Sequence, residues 1–265
     1  PVPKEIAGTP AEKHIIGVQA NMWREYIPTF DYTIYMDYPR TAAMSETAWS
    51  QKEKKNYDNF LDKLEKLLKY YDAMGMNYSR SHYSISADVS FNSKTKNVEL
   101  ELNTPAKNSE IIYTLDGSEP TLSSQKLTKK LVLSQTTTVS AYVVRDGKII
   151  SPMFKATYNL NKATGKKYEL KNMNPQYSGS TKNALTDGIF GSAKSYDKWI
   201  GTYGYDYDVV VDIEKRENIN SISLNFLDNV GSWIFLPTKV HFYVSDDNKT
   251  WKEISESDIE LTKEG

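Results

Sequence analysis

Gly17-Val18-Gln19-Ala20-Asn21-Met22-Trp23-Arg24-Glu25-Tyr26, followed by Tyr38-Pro39-Arg40-Thr41-Ala42-Ala43-Met44-Ser45-Glu46-Thr47-Ala48-Trp49-Ser50, decides how the first part of this chain is read. The residues His14 to Val18 form a short apolar run, with Ile15, Ile16 and Val18, that ends in small and polar residues. Such a run predicts a strand covered on both faces, as in a parallel sheet. The strand exit carries Trp23 and Glu25, and a helix from Pro39 to Trp49 follows. By spacing alone, the Trp and Glu fit a core aromatic beside a surface charge as well as two walls of a pocket.

The two motifs, in this order, resemble the last strand, loop and helix of the catalytic barrel of glycoside hydrolase family 20, the β-N-acetylhexosaminidases. The resemblance covers residues 1–82. It implies that Trp23 is the pocket floor, lying against the apolar face of a terminal N-acetylhexosamine, and that Glu25 accepts hydrogen bonds from hydroxyls far from the scissile bond. A sugar offers one CH-rich face and a rim of hydroxyl donors, which a flat aromatic and an acceptor-only carboxylate match. The family's general acid and its acetamido-orienting residue are the Glu and Asp of an Asp-Glu pair in an earlier strand, and no Asp-Glu dipeptide occurs here. The resemblance implies substrate-assisted, retaining chemistry, in which the acetamido oxygen replaces a carboxylate nucleophile but the acid is still needed. The chain therefore reads as a C-terminal fragment lacking about seven of the eight strand-helix units of a barrel. No hydrolase activity is expected of it by itself, and no catalytic residue is assigned.

Composition narrows the partners. At 265 residues the chain has room for more than one domain, and a formal net charge of −1 gives no case for nucleic acid. No apolar run approaches a membrane span. With no Cys, disulfides and thiolate zinc sites are excluded. His14, His82 and His241 are far apart in sequence and are read as structural. The family resemblance implies export, to the periplasm or a bacterial cell surface, with any signal peptide outside this sequence.

Ser50 and Glu53 have capping-box spacing and predict the start of a second helix, with Tyr57, Phe60, Leu61, Leu64, Leu67, Leu68 and Tyr71 as its apolar stripe and Gly75 as its stop. Without the rest of a barrel, that stripe is expected to leave apolar surface exposed or buried on a second copy.

From Tyr83 the period becomes two. Ile85, Ala87, Val89 and Phe91 alternate with polar residues, as do Val98, Leu100 and Leu102. Further strands are expected at 111–115, 130–133, 138–144 and 149–158, with Asp146-Gly147 as a hairpin turn. Ile112-Tyr113-Thr114-Leu115-Asp116-Gly117-Ser118-Glu119-Pro120-Thr121 resembles the Y-T-x-D-G-S-x-P-T signature of the immunoglobulin-like domain C-terminal to chitobiases and hexosaminidases. Its residues are turn formers, so a spacer role is expected for residues 83–160.

Residues 159–167 read as a linker. Beyond it, strands are expected at 209–213, 219–227, 239–245 and 251–254, with Trp251 in the core. Leu185-Thr186-Asp187-Gly188, Val210-Val211-Asp212-Ile213 and Val244-Ser245-Asp246-Asp247-Asn248-Lys249-Thr250-Trp251 resemble the discoidin-like, coagulation-factor C-type sandwich, for residues 168–265. That resemblance implies exposed loop aromatics that stack on sugar, for which Trp199, Tyr203 and Trp233 are the candidates. It also implies a structural calcium ion, with Asp187 matching its Asp ligand. The late Glu ligand lies in a final strand not found before Gly265, which leaves the calcium site and the completeness of the sandwich open. No other cofactor is expected.

The fold class is thus multidomain and mainly β: the last strand and two helices of a (β/α)8 barrel, then two antiparallel β-sandwiches, the second discoidin-like and open to truncation. Two functions compete. One is the C-terminal portion of a β-N-acetylhexosaminidase acting on terminal N-acetylglucosamine or N-acetylgalactosamine. The other is a non-catalytic carbohydrate-binding or adhesion protein. The Trp23 and Glu25 motif in barrel order favours the first.

Overall fold

The computed structural model describes residues 2–92, 94–180, 183–193 and 196–258. The chain divides into two compact units, residues 1–82 and 83–265. Among the described residues no helix is long and apolar enough to cross a membrane.

The first unit is helical: α1 (Phe30–Asp37), α2 (Arg40–Trp49) and α3 (Tyr57–Ala73). Helix α1 was not expected. Thr29 caps it, its hydroxyl accepting from the Tyr32 N–H at 3.1 Å, and Arg40 donates back to the Tyr35 and Met36 carbonyls at its end. Helix α3 buries Leu61, Leu64, Leu68 and Tyr71, the centre of the expected stripe, while Tyr57 at its margin is 70% exposed. Its start differs from expectation. Ser50 ends α2, and Asn56 is the cap of α3, accepting from the Asn59 N–H at 2.9 Å. An Asn placed directly before the periodic run outcompetes a Ser six positions upstream that is already closing another helix. The stop is as expected. With Gly75 at φ +64°, its N–H reaches the Asp72 carbonyl and the Met76 N–H reaches that of Tyr71, two bonds that satisfy the last turn.

The strand expected at His14–Val18 does not form. Glu12–His14 is a single 3-10 turn, and residues 15–23 are irregular, with Ile16 fully exposed. The physical reason is the ladder. An apolar run becomes a buried strand only when neighbouring strands take its N–H and C=O groups, and the first unit contains no strand among its described residues.

The second unit supplies such partners. Strands β1 (Ser86–Asn92), β2 (Asn97–Asn103), β3 (Glu110–Thr114), β4 (Gln125–Lys126), β5 (Leu131–Leu133), β6 (Thr137–Arg145), β7 (Lys148–Ile149) and β8 (Phe154–Tyr158) form two antiparallel sheets. One has the order β1-β2-β5, and in the other β6 pairs with β3, β7 and β8 while β4 lies outside β3. Val98, Leu100 and Leu102 of β2 and Val139, Ala141 and Val143 of β6 alternate inward and are buried. The Asp146-Gly147 turn has φ of +50° and +69° between β6 and β7, as the dipeptide predicts. The Asp116-Gly117-Ser118 signature is a turn held by its own side chains: Asp116 Oδ1 accepts from the Ser118 N–H at 3.0 Å and the Ser118 hydroxyl at 2.6 Å. Those two bonds hold the Asp116 carboxyl below its ordinary pKa. Its residues shape the chain and contact one another, as a structural role requires.

Residues 159–167, expected as a linker, are packed. The Asn159 N–H donates to the Gly188 carbonyl at 2.7 Å, the Gly165 N–H to that of Thr186 at 2.7 Å, and Thr164 is buried. Gly165 has φ +74°, and a Cβ there would stand 2.1 Å from the Phe91 ring. Small and polar composition signals a flexible linker only where nothing binds the backbone, and here two loops do.

Beyond the junction, β9 (Lys167–Lys171) pairs with β10 (Asp208–Asp212), and β11 (Lys239–Val244) with β12 (Lys252–Asp258). The strand expected at 219–227 is irregular, with Ile219, Ile222 and Leu224 each more than 40% exposed. Trp251, expected in the core, is 42% exposed. Two-stranded ribbons bury little until a second sheet faces them, and no wider sheet forms among the described residues after 166. Residues 259–265, where the final strand was sought, lie outside the described residues.

The packed junction makes a clear prediction. Gly165→Ala should lower the stability of the second unit by ~1–3 kcal/mol, from overpacking against Phe91 and a disfavoured backbone. Thermal unfolding followed by near-ultraviolet circular dichroism measures it, and an unchanged midpoint would return residues 159–167 to linker status.

Candidate functional site

The motif at Trp23 ends an extended stretch. Trp23 has φ −91° and ψ 127° and precedes a 3-10 turn, Arg24–Tyr26, that contains Glu25. The Trp23 side chain is 80% exposed, and Glu25 is exposed beside it. Neither residue lines the cleft between α2 and α3. Both candidate sugar contacts are thus exposed on an irregular segment and its 3-10 turn.

The first unit does contain an open cleft, of about 470 Å³, between α2 and α3. Tyr38, Glu46 and Trp49 line it from the α2 side, and Leu67 and Tyr71 from α3. The Glu46-x-x-Trp49 spacing places both side chains on one helix face, as three-residue spacing requires. Glu46 Oε1 accepts from Lys63 Nζ at 2.8 Å, and that ammonium holds the carboxyl below its ordinary value. Tyr71 packs edge-on to Tyr38 at 5.3 Å, and its burial pushes the phenol's pKa up. These contacts use the polar groups of the cleft for packing α2 against α3. The Glu46 to Lys63 pair crosses between helices and has no sequence signal beyond opposite charge.

In the second unit the three aromatic candidates differ. Trp199 is half-buried. Its ring lies over Gly191, where a Cβ would stand 2.4 Å away, and its indole N–H donates to the Ser192 carbonyl at 3.1 Å. With its polar group bonded and its face covered by Gly191, Trp199 closes its own loop. Tyr203 is 82% exposed, on a turn whose next residue, Gly204, has φ +75°.

Trp233 is 85% exposed and sits at φ +60°, ψ +32°. The left-handed region disfavours a residue with a Cβ, so its backbone is held by neighbours. Asn229 holds it: its side chain accepts from the Ser232 N–H at 3.2 Å, and its N–H and C=O both pair with Ile234, at 3.0 and 3.1 Å. Phe235 stands edge-on to Trp233 with ring centroids 6.4 Å apart, so two exposed rings meet at right angles. The Asn229 amide also donates to the Tyr196 hydroxyl, which joins this loop to the turn that carries Trp199. Asn229, Tyr196 and Phe235 were not singled out in the sequence. Asn229-Val230-Gly231-Ser232 has the cap-then-turn pattern that would have revealed the first of them.

Asp187 lies at the junction. Its Oδ1 accepts from the Ile189 N–H at 2.8 Å, and Gly188 beside it, at φ +80°, approaches the Asn159 carbonyl too closely for any Cβ. Its charge adds to burial in raising the pKa of Tyr158. A cavity of about 250 Å³ beside it is lined by Phe91, Thr164 and Thr186 among others. Calcium takes six to eight oxygen ligands, often several of them carboxylates. Among the described residues Asp187 belongs to no group of three possible metal-binding side chains, so it offers one carboxylate toward such a shell.

Against known proteins, the N-terminal residues are decisive. The catalytic-domain model of glycosyl hydrolase family 20 matches residues 1–52. Residues 1–52 are therefore similar to part of that family's catalytic domain. That segment contains both Trp23 and Glu25. A second family model, described as Fn3 associated, matches residues 100–158, from within β2 to the last residue of β8. A β-hexosaminidase of Porphyromonas gingivalis is 35% identical over 162 residues, covering 58% of this chain and 20% of that protein. A β-hexosaminidase of Akkermansia muciniphila is 39% identical over 51 residues, 19% of this chain and 10% of that protein. A β-N-acetylhexosaminidase of Cellulomonas fimi is 30% identical over 76 residues, 29% of this chain and 15% of that protein. The chain thus spans about one fifth or less of the length of the curated relatives it matches.

The Trp233 loop can be tested without a ligand. Trp233→Asn keeps a residue that tolerates the left-handed backbone and removes one that does not, at the loss of a single ring contact. Stability should stay the same or rise by up to ~1 kcal/mol. A loss larger than that, in chemical denaturation, would show the ring packing as core rather than displayed.

Proposed function

We propose that this chain is the C-terminal portion of a β-N-acetylhexosaminidase that removes terminal, non-reducing N-acetylglucosamine or N-acetylgalactosamine from glycans. The observation that carries the reading is the family 20 match over residues 1–52, with Trp23 and Glu25 inside it. In the assembled enzyme, Trp23 forms the floor beneath the sugar's apolar face and Glu25 accepts from its distal hydroxyls. Catalysis is substrate-assisted: the acetamido oxygen attacks the anomeric carbon while a carboxylic acid protonates the leaving oxygen. That acid is the Glu of an Asp-Glu pair, which this chain does not contain, so the chain alone has no hydrolase activity. Export to the periplasm or cell surface belongs to the same proposal.

Residues 83–160 serve as a spacer, in keeping with a signature whose polar groups bond to one another. Residues 168–265 are proposed as a discoidin-like module that holds the enzyme on glycan. Trp233, with Phe235 beside it, is the strongest contact candidate because its ring is displayed on a backbone that neighbours hold in place. Tyr203 remains a candidate by exposure, and Trp199 the weakest because its ring is already packed. Calcium at Asp187 rests on one carboxylate. A second reading, a non-catalytic carbohydrate-binding or adhesion protein, draws on those same displayed aromatics but leaves the family 20 segment without a purpose.

The test compares this chain with one extended upstream to include the missing strands. A chromogenic N-acetyl-β-glucosaminide should be untouched by the 265-residue chain and hydrolysed by the extended one. In the extended enzyme, Glu25→Gln should reduce kcat/KM by ~10–100-fold, the loss of hydrogen bonds to a charged acceptor. An extended enzyme indifferent to both Trp23→Ala and Glu25→Gln would overturn the proposed roles.

A further inference from the structure

We propose that the outer face of the β11–β12 hairpin binds a divalent transition-metal ion of the zinc class through His241, Glu253 and Glu256. The strands create the site by their register. Along β11, Lys239, His241 and Tyr243 are exposed while Val240, Phe242 and Val244 turn inward. The ladder pairs His241 with Glu256 and Tyr243 with Glu253. Glu253 and Glu256 are three residues apart, and in an unbroken strand they would face opposite sides of the sheet. The register shifts between Phe242 and Tyr243, leaving Ile254 as the extra residue of a bulge. That extra residue re-aims Glu253 onto the face of Glu256, so both carboxylates meet the same imidazole.

The resulting geometry is close. One ligand atom from each of the three side chains lies within 4.8 Å of the other two. Glu253 Oε1 is hydrogen-bonded to His241 Nδ1 at 2.7 Å, a proton-mediated contact that the metal would replace, and Glu256 Oε2 is 3.5 Å from the same nitrogen. Ligand atoms around one tetrahedral zinc ion stand roughly 3.3 Å apart, given metal-ligand bonds near 2.0–2.1 Å. The two spacings to the imidazole nitrogen bracket that value. Lys239 donates to the other oxygen of Glu256, which leaves Oε2 on the His241 side, and Tyr243 stacks on the imidazole at 6.2 Å with its ring 19° from parallel. Both neighbours orient a ligand without occupying its coordinating atom, the part that supporting groups play around metal sites. One nitrogen and two carboxylate oxygens suit zinc, nickel or copper; calcium, which takes oxygen ligands only, does not match an imidazole. This reading is independent of the family 20 segment and of any sugar contact. It also revises the sequence reading of His241 as structural, which spacing from His14 and His82 could not correct because the partners are carboxylates across a strand pair.

Isothermal titration of the full chain with zinc chloride tests it. One ion should bind per chain, with Kd in the ~1–100 µM range expected of three exposed ligands beside a lysine. His241→Gln and Glu253→Gln should each weaken binding at least ~10-fold, while His14→Gln leaves it unchanged. Calcium at about 1 mM should neither bind nor compete. Circular dichroism of the variants confirms the fold, since all the substituted side chains are exposed. Absence of zinc binding to the unaltered chain, or binding that survives His241→Gln and Glu253→Gln, would overturn the site.

Discussion

An extended backbone is stable in a protein interior only when neighbouring strands accept and donate its hydrogen bonds, and this requirement sorts the whole chain. Strand β6 meets it most fully, with β3 along one edge and β7 and β8 along the other, and its Val139, Ala141 and Val143 are completely buried. The run from Ile15 to Val18 is as apolar as β6 but has no partner among the described residues, and it stays irregular and exposed. The same sequence pattern therefore has opposite outcomes in the two units. Hydrophobicity proposes a strand, and the ladder decides.

That contrast explains how residues 1–52 can match a catalytic-domain model while their apolar run stays irregular. The match contains Trp23 and Glu25 at a 3-10 turn and Glu46 and Trp49 on α2. On the proposed reading, a sugar pocket depends on concavity, which side chains from several strands must build together. Helices fare better than strands in this respect, because their backbone bonds are internal. So α3 forms and buries Leu61, Leu64, Leu68 and Tyr71, while residues 15–23 stay irregular.

Sequence reading succeeded wherever a local rule was enough. The apolar stripe of α3, its Gly75 stop, the alternation in β2 and the Asp146-Gly147 turn each follow from a spacing or a backbone preference within a few residues. It failed where another residue competes or a partner is absent. Asn56 took the cap expected of Ser50, Phe91 and Gly188 converted an apparent linker into a packed junction, and residues 219–227 found no sheet to join. The site residues show the same division. Trp233 was legible as a loop aromatic, but Asn229, which holds its backbone, and the bulge at Ile254, which turns Glu253 toward His241, are products of tertiary register.

On the proposed reading, the Ile15–Val18 segment becomes a strand when neighbouring strands supply its ladder. Hydrogen-deuterium exchange at its backbone amides tests this most directly, comparing the 265-residue chain with a longer chain that carries a whole family 20 catalytic domain. The account predicts exchange near the unprotected rate in the shorter chain and strong protection in the longer one. Protection of these amides in the shorter chain as a monomer, or their continued rapid exchange in an active longer chain, would contradict it.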